Sequence, residues 1–143
     1  MKLKRSKIPY DFIDKEIRKI VRLLNSFPFC ATTLSCGGHP KEMGEMFVAD
    51  CHIHLKTNDE DELMKLLSYI ASGFKDEPGL WLHTSKQYHF SRDASIHKHS
   101  YSWRIGFFIN GGASEEVRQM LCRGRKTLKR LIQEYKEIYK NGH

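Results

Sequence analysis

A hydroxyl, a thiol and an imidazole stand within five consecutive positions, Ser35, Cys36 and His39, with Gly37 and Gly38 between them. The residues just before, Phe29, Cys30, Ala31, Thr32, Thr33 and Leu34, form a β-rich run. The stretch therefore reads as the end of a buried strand opening into a glycine loop. Two glycines at a strand end let backbone N–H groups approach a ligand closely. Ser35 or Cys36 could attack or hydrogen-bond, and His39 could act as base or contact a phosphate. These three are the catalytic candidates, and Thr33, Gly37 and Gly38 frame a ligand loop. The same residues also describe an ordinary Gly-Gly turn beside a core cysteine.

Periodicity shows which elements must position this stretch. Phe12, Ile13, Ile17, Ile20, Val21, Leu23 and Leu24 recur at helical spacing. Lys15, Arg18, Lys19 and Arg22 fall largely opposite, and Asp11 or Asp14 can cap the helix. Asn25-Ser26 ends it, and Pro28 forbids its continuation. After a polar loop at 40–45, residues 46–56 alternate. Phe47, Ala49, Cys51, Ile53 and Leu55 take the core face, and Val48, Asp50, His52 and His54 the other. His52 and His54 thereby join the ligand-binding candidates. A second helix, capped by Asn58 or Asp59, buries Leu63, Leu66, Leu67, Ile70 and Ala71 and closes near Gly73. Strands follow at 80–90 and 101–109. A long last helix starts at Ser114 and runs to about Tyr139. The order α-β-β-α-β-β-α predicts one α+β domain over 1–143, with a basic, flexible arm at 1–9. Its sheet is expected to be four-stranded, mainly antiparallel or mixed, and packed by three helices.

The chain has 143 residues, with 24 Lys+Arg against 17 Asp+Glu and a net charge of +7. That balance points to a polyanionic partner, such as RNA, DNA or a phosphorylated ligand. Two regions could meet it. In one, His83, His89, His97 and His99 interleave with Tyr88, Phe90, Arg92, Trp103 and Arg104, as in surfaces that stack bases and neutralise phosphates. The other is the basic face of the last helix. His97, His99, Arg104, Arg123, Arg125, Lys126 and Arg130 are the nucleic-acid-binding candidates. The bland alternative is a polar hairpin and a solvated helix face.

No apolar run approaches the roughly 18 to 20 residues that span a bilayer, so no membrane association is expected. The basic N-terminus is not followed by the apolar stretch of a secretory signal. Cys30, Cys36, Cys51 and Cys122 are spaced too irregularly for a disulfide framework, which predicts a cytoplasmic chain with reduced thiols. Cys36-x-x-His39 has ligand spacing, and His52 and His54 share a strand face. Structural zinc usually shows two close ligand pairs, so zinc is not expected and no metal ligands are assigned.

The runs Leu23-Leu24-Asn25 and Thr32-Thr33-Leu34-Ser35-Cys36-Gly37-Gly38-His39 resemble the tRNA wybutosine-synthesizing protein 3 family. That family has a helix ending in Leu-Asn, then a Thr-Thr-Ser-Ser-Cys-x-Gly-Arg motif. Cys51-His52-Ile53, the helix ending in Gly73-Phe74 and the long basic C-terminal helix are weaker echoes. The likeness spreads over most of the chain, and only the loop motif is specific. The family is described as S-adenosylmethionine-dependent, methylating a tricyclic guanine derivative in tRNA on a fold unlike the usual Rossmann methyltransferase. The resemblance implies S-adenosylmethionine as cofactor and tRNA as partner. It also implies that Ser35, Cys36 and Gly38 build the ligand loop with His52 nearby, and that the basic helix and the His97/His99 segment face tRNA. His39 stands where the motif has arginine, Leu34 at one of its serines, and the chain is shorter than full members. A histidine does not replace a permanently charged arginine. The alternative is a non-enzymatic metal- or nucleic-acid-binding module.

Overall fold

The computed structural model describes Leu3, residues 13–90 and residues 99–143. A 3₁₀ turn, Lys15–Ile17, leads into α1, Arg18–Asn25. Then follow β1, Cys30–Cys36; β2, Lys41–Met43; β3, Met46–Thr57; α2, Glu60–Phe74; β4, Trp81–Phe90; β5, His99–Gly111; and α3, Ser114–Gly142. The architecture is the α+β class that the element pattern predicts. The sheet is antiparallel in the order β1-β3-β5-β4, with β2 paired to the start of β3. That short strand makes five where four were expected. Residues 41–43 turn back onto 46–48 through Gly44, at φ 65°. All three residues of β2 are exposed, so no apolar alternation marks it in the sequence. Most of the 1–9 arm, and Asp11, lie outside the described residues.

Local chemistry explains the helix ends. Asp59 caps α2, its side chain accepting the Glu62 N–H at 3.2 Å, and Glu60, Asp61 and Glu62 complement the helix dipole. Asp14 precedes the 3₁₀ turn without capping it. The Asn25 side chain accepts the Thr32 N–H and donates to Thr32 Oγ1, both at 2.9 Å. This pair fastens the end of α1 to β1.

The three helices pack on one face of the sheet. Cys51, Ile53 and Leu55 of β3 and Ile105, Phe107 and Ile109 of β5 are almost completely buried there. They meet Leu24, Leu63, Leu66, Ile70, Leu128 and Ile132 in one core. Removing a side chain such as Phe107 costs about 3–5 kcal/mol, because a cavity adds to the lost transfer energy. The α3 helix approaches the sheet closely at Gly124, where a Cβ would lie 2.4 Å from the Phe107 ring. Gly73 is not a cap: it sits inside the last turn of α2, where a Cβ would lie 2.3 Å from Leu131 of α3. No described helix is long and apolar enough to cross a membrane. No disulfide joins any of the four cysteines.

Candidate functional site on the open sheet face

Residues directly paired in an antiparallel sheet share a face. Register therefore maps the face that the helices leave open. Trp81, Phe108 and Asp50 form one row. His83, Gly106, His52 and Cys36 form the next. Ser85, Arg104, His54 and Leu34 form the third. The alternation that sends Cys51 and Ile53 into the core thus presents Asp50, His52 and His54 beside Arg104 and His83.

Asp50 is the hub of this face. Its Oδ1 accepts a hydrogen bond from His83 Nε2 at 2.7 Å. An ionised carboxylate only accepts, so His83 Nε2 carries the proton. Arg104 Nη2 donates to Oδ2, and His52 Nδ1 stands 3.5 Å from the same oxygen. Arg104 lies two rows from Asp50, so their bridge passes over Gly106, which has no side chain to block it. A Cβ at position 106 would sit 2.2 Å from the Cys51 carbonyl oxygen and 2.9 Å from His52 Cα. The side chains of His52, Asp50, Arg104 and His83 are 25–34% exposed. They are therefore reachable yet partly shielded from water, where charge interactions gain strength.

Burial, and then the Arg104 charge, push His52 below the ordinary histidine value, with Asp50 partly opposing them. The ring is therefore neutral at pH 7. It meets His54 edge-on, with ring centroids 5.5 Å apart. Buried polar atoms without partners cost about 1–3 kcal/mol each and call for an explanation. Among the described residues, two of the four such side-chain atoms are His52 Nδ1 and Arg104 Nε. Apolar groups frame the cluster: Trp81 is 65% exposed and Leu34 62%, with Phe108 half-buried. Two surface depressions, one at Met43 and Met46 and one beside Trp103, share no residue with it.

The glycine loop makes structural contacts that its composition does not show. The Gly37 N–H donates to Asp14 Oδ2 at 2.8 Å. Arg125 donates from Nε to the Gly37 carbonyl at 2.9 Å and from Nη2 to the Gly38 carbonyl at 3.1 Å. Gly38 has φ 86°, and a Cβ there would lie 2.7 Å from Leu121 Cδ2. The loop's polar backbone is thus engaged in tying the end of β1 to α3 and to the chain before α1. His39 is exposed, 3.7 Å from Asp14. Ser35 pairs with Ile53 and so faces the helix layer, while Cys36 pairs with His52 and faces the open side. Strand alternation separates the two candidate nucleophiles. Thr33 is half-buried at the irregularity between Thr32 and Leu34.

The aromatic and basic residues of β4 and β5 also divide. His83 and Arg104 reach the open face. Lys86, Tyr88, Tyr101 and Trp103 lie on the helix side, where the Lys86 ammonium is 2.7 Å from Glu60 and 4.0 Å from the Tyr101 ring centre. The Glu60 hydrogen bond raises the Lys86 pKa. His97 lies outside the described residues. His99 opens β5, and its side chain lies outside them too. On α3, Arg125 is committed to the glycine loop. Arg123 donates to the Pro78 carbonyl and lies 3.6 Å from Glu77, and Arg130 pairs with Glu134 at 2.8 Å. Lys126 is exposed.

The structure thus brings Cys36, His52, His54 and Arg104 onto one face and leaves Ser35 and His39 off it. Asp50 held no assigned role in the sequence, although Asp50-x-His52-x-His54 on the non-core side of a strand was the signal. Trp81 and Phe108 carried a weaker one, as aromatics in phase with polar rather than core positions. Compared with protein-family models, curated proteins and solved structures, the chain matches none.

Proposed function

We propose that this protein binds single-stranded RNA, such as a tRNA loop, on the open face of its sheet. The observation that carries this reading is the exposed Trp81 beside Phe108, one row from His52 and His83 and two from Arg104. An antiparallel sheet that displays aromatic rings with imidazole and guanidinium groups lets unpaired bases lie flat while cations sit near the phosphates. The net charge of +7 favours the encounter. Four cysteines outside any disulfide support a reducing, cytoplasmic setting.

Fluorescence anisotropy with a labelled single-stranded RNA tests the reading. Base–aromatic stacking contributes about 1–3 kcal/mol, so Trp81→Ala weakens binding about fivefold or more. The affinity of the wild type falls steeply with log salt. Lys126→Glu with Arg130→Glu, on the helix layer, changes affinity far less. The reverse ranking assigns RNA to α3 and refutes the open-face reading. The resemblance adds a methyltransferase form, with S-adenosylmethionine near Cys36. Calorimetry with S-adenosylmethionine tests it, and no heat from folded protein removes that form.

A further inference from the structure

The open face holds more than a stacking platform requires. Two imidazoles, His52 and His83, reach one carboxylate from the strands on either side of β5. The strands that carry them lie about 10 Å apart, two strand spacings. Between them Gly106 adds no side chain to the row, and the Asp50–Arg104 bridge crosses it. Stacking requires neither two histidines nor a half-buried aspartate to orient them.

We infer that this row cleaves RNA by phosphodiester transesterification, with His52 as general base and His83 as general acid. The inference rests on the RNA-binding reading and adds a reaction to it. In the step, the neutral His52 imidazole takes the proton of a ribose 2′-hydroxyl. That oxygen forms a bond to the adjacent phosphorus. The P–O5′ bond breaks, its electron pair leaves on O5′, and the His83 imidazolium delivers a proton there. The products are a 2′,3′-cyclic phosphate and a 5′-hydroxyl. Atoms and electrons balance with no added reagent, and proton transfer through water resets the two rings. Asp50 acts as a positioning residue. It accepts the His83 Nε2–H at 2.7 Å and leaves Nδ1 as the atom that gives the proton.

Each ring has a distinct setting, as an acid–base pair requires. His52 faces Arg104, Asp50 and His83, lies edge-on to His54 and pairs across the strands with Cys36. Burial and the Arg104 charge hold it in the neutral, proton-accepting form. His83 instead has a direct carboxylate partner. The substrate class is single-stranded RNA, because the attacking group is its own 2′-hydroxyl. Trp81 and Phe108, one row away, provide the surface on which the flanking base stacks.

The test uses the purified full chain and two end-labelled oligonucleotides of one sequence, an RNA and its fully 2′-O-methylated form. Wild-type protein binds both and cuts only the RNA, leaving 2′,3′-cyclic phosphate ends. His52→Gln and His83→Gln each lower the cleavage rate roughly a hundredfold or more. Rates are compared at protein concentrations that saturate each variant with the RNA, and circular dichroism shows each variant folded, so the loss is one of chemistry and not of binding. The wild-type rate passes through a maximum with pH, and each variant loses one limb. Binding without cleavage overturns this inference and leaves the RNA-binding reading standing. Cleavage that persists in both variants overturns it as well and marks a contaminating nuclease. Binding of neither strand overturns both readings.

Discussion

Gly106→Ala probes the join between fold and site. A carbon and an oxygen that are not bonded keep about 3.3 Å apart even in close sheet contacts. The added Cβ would stand 2.2 Å from the Cys51 carbonyl oxygen, and 2.9 Å from both Cα and Cβ of His52. These atoms belong to the backbone of β3 or sit directly on it, so a rotamer change does not relieve the clash. The two strands must part locally by about 1 Å, in the middle of a nine-pair register. Overpacking of this kind costs about 1–3 kcal/mol. Replacing a strand glycine by alanine returns roughly 0.5–1 kcal/mol. The net loss is therefore about 1–2 kcal/mol. With a urea slope of about 2 kcal/mol/M for a domain of this size, the midpoint falls by about 0.5–1 M. Urea denaturation followed by tryptophan fluorescence and circular dichroism measures it. Gly112→Ala serves as control, since nothing lies within 4 Å of its Cβ. If the open face binds RNA as proposed, the same substitution weakens that binding, because the Asp50–Arg104 bridge crosses that row. A midpoint equal to the wild type would refute the claim that Gly106 is required by close approach.

The glycine loop, His52 and the thiols each make a further prediction. Arg125→Met removes two charge-assisted bonds to the Gly37 and Gly38 carbonyls, lowers stability by about 2 kcal/mol and speeds proteolysis within residues 37–45. An unchanged melting curve contradicts the structural role of that loop. His52 has a folded pKa below its ordinary 6.5, so the fold favours its neutral form. Its contribution to stability is therefore complete above about pH 6.5 and is lost as pH falls through the folded value. The loss of urea stability between pH 7 and 5 is shallower in His52→Gln, and an identical slope removes the assignment. A thiol reagent at pH 8 modifies the exposed Cys122 first and the half-buried Cys36 next. Cys51, whose thiol burial pushes to about 12, and the buried Cys30 react only after urea is added. Four equal rates contradict the burial pattern.

Much of the fold was legible because its signals are local. Helical spacing marked α1, α2 and α3, and alternation marked β3 and assigned Cys51, Ile53 and Leu55 to the core. The same alternation placed His52 and His54 together on the opposite side. What escaped depends on contacts distant in sequence. The glycine loop read as a ligand cradle because its partners, Asp14 and Arg125, lie 23 and 88 positions away. Ser35 and Cys36 read as candidates for one site because adjacency in sequence conceals that a strand points neighbours to opposite faces. Gly106 carried no signal, since only the register with His52 and His83 shows why a side chain is excluded there. Arg125 read as a phosphate contact because a basic run on a helix does not show which member turns inward.

The central claim is that the open sheet face, and not the basic helix, receives RNA. Amide chemical-shift mapping during titration with a single-stranded RNA tests it most directly. The account predicts that the largest shifts fall on Asp50, His52, His54, Trp81, Arg104 and Phe108, with Lys126 and Arg130 little changed. Shifts concentrated on α3, with the Asp50 cluster silent at saturation, would contradict it.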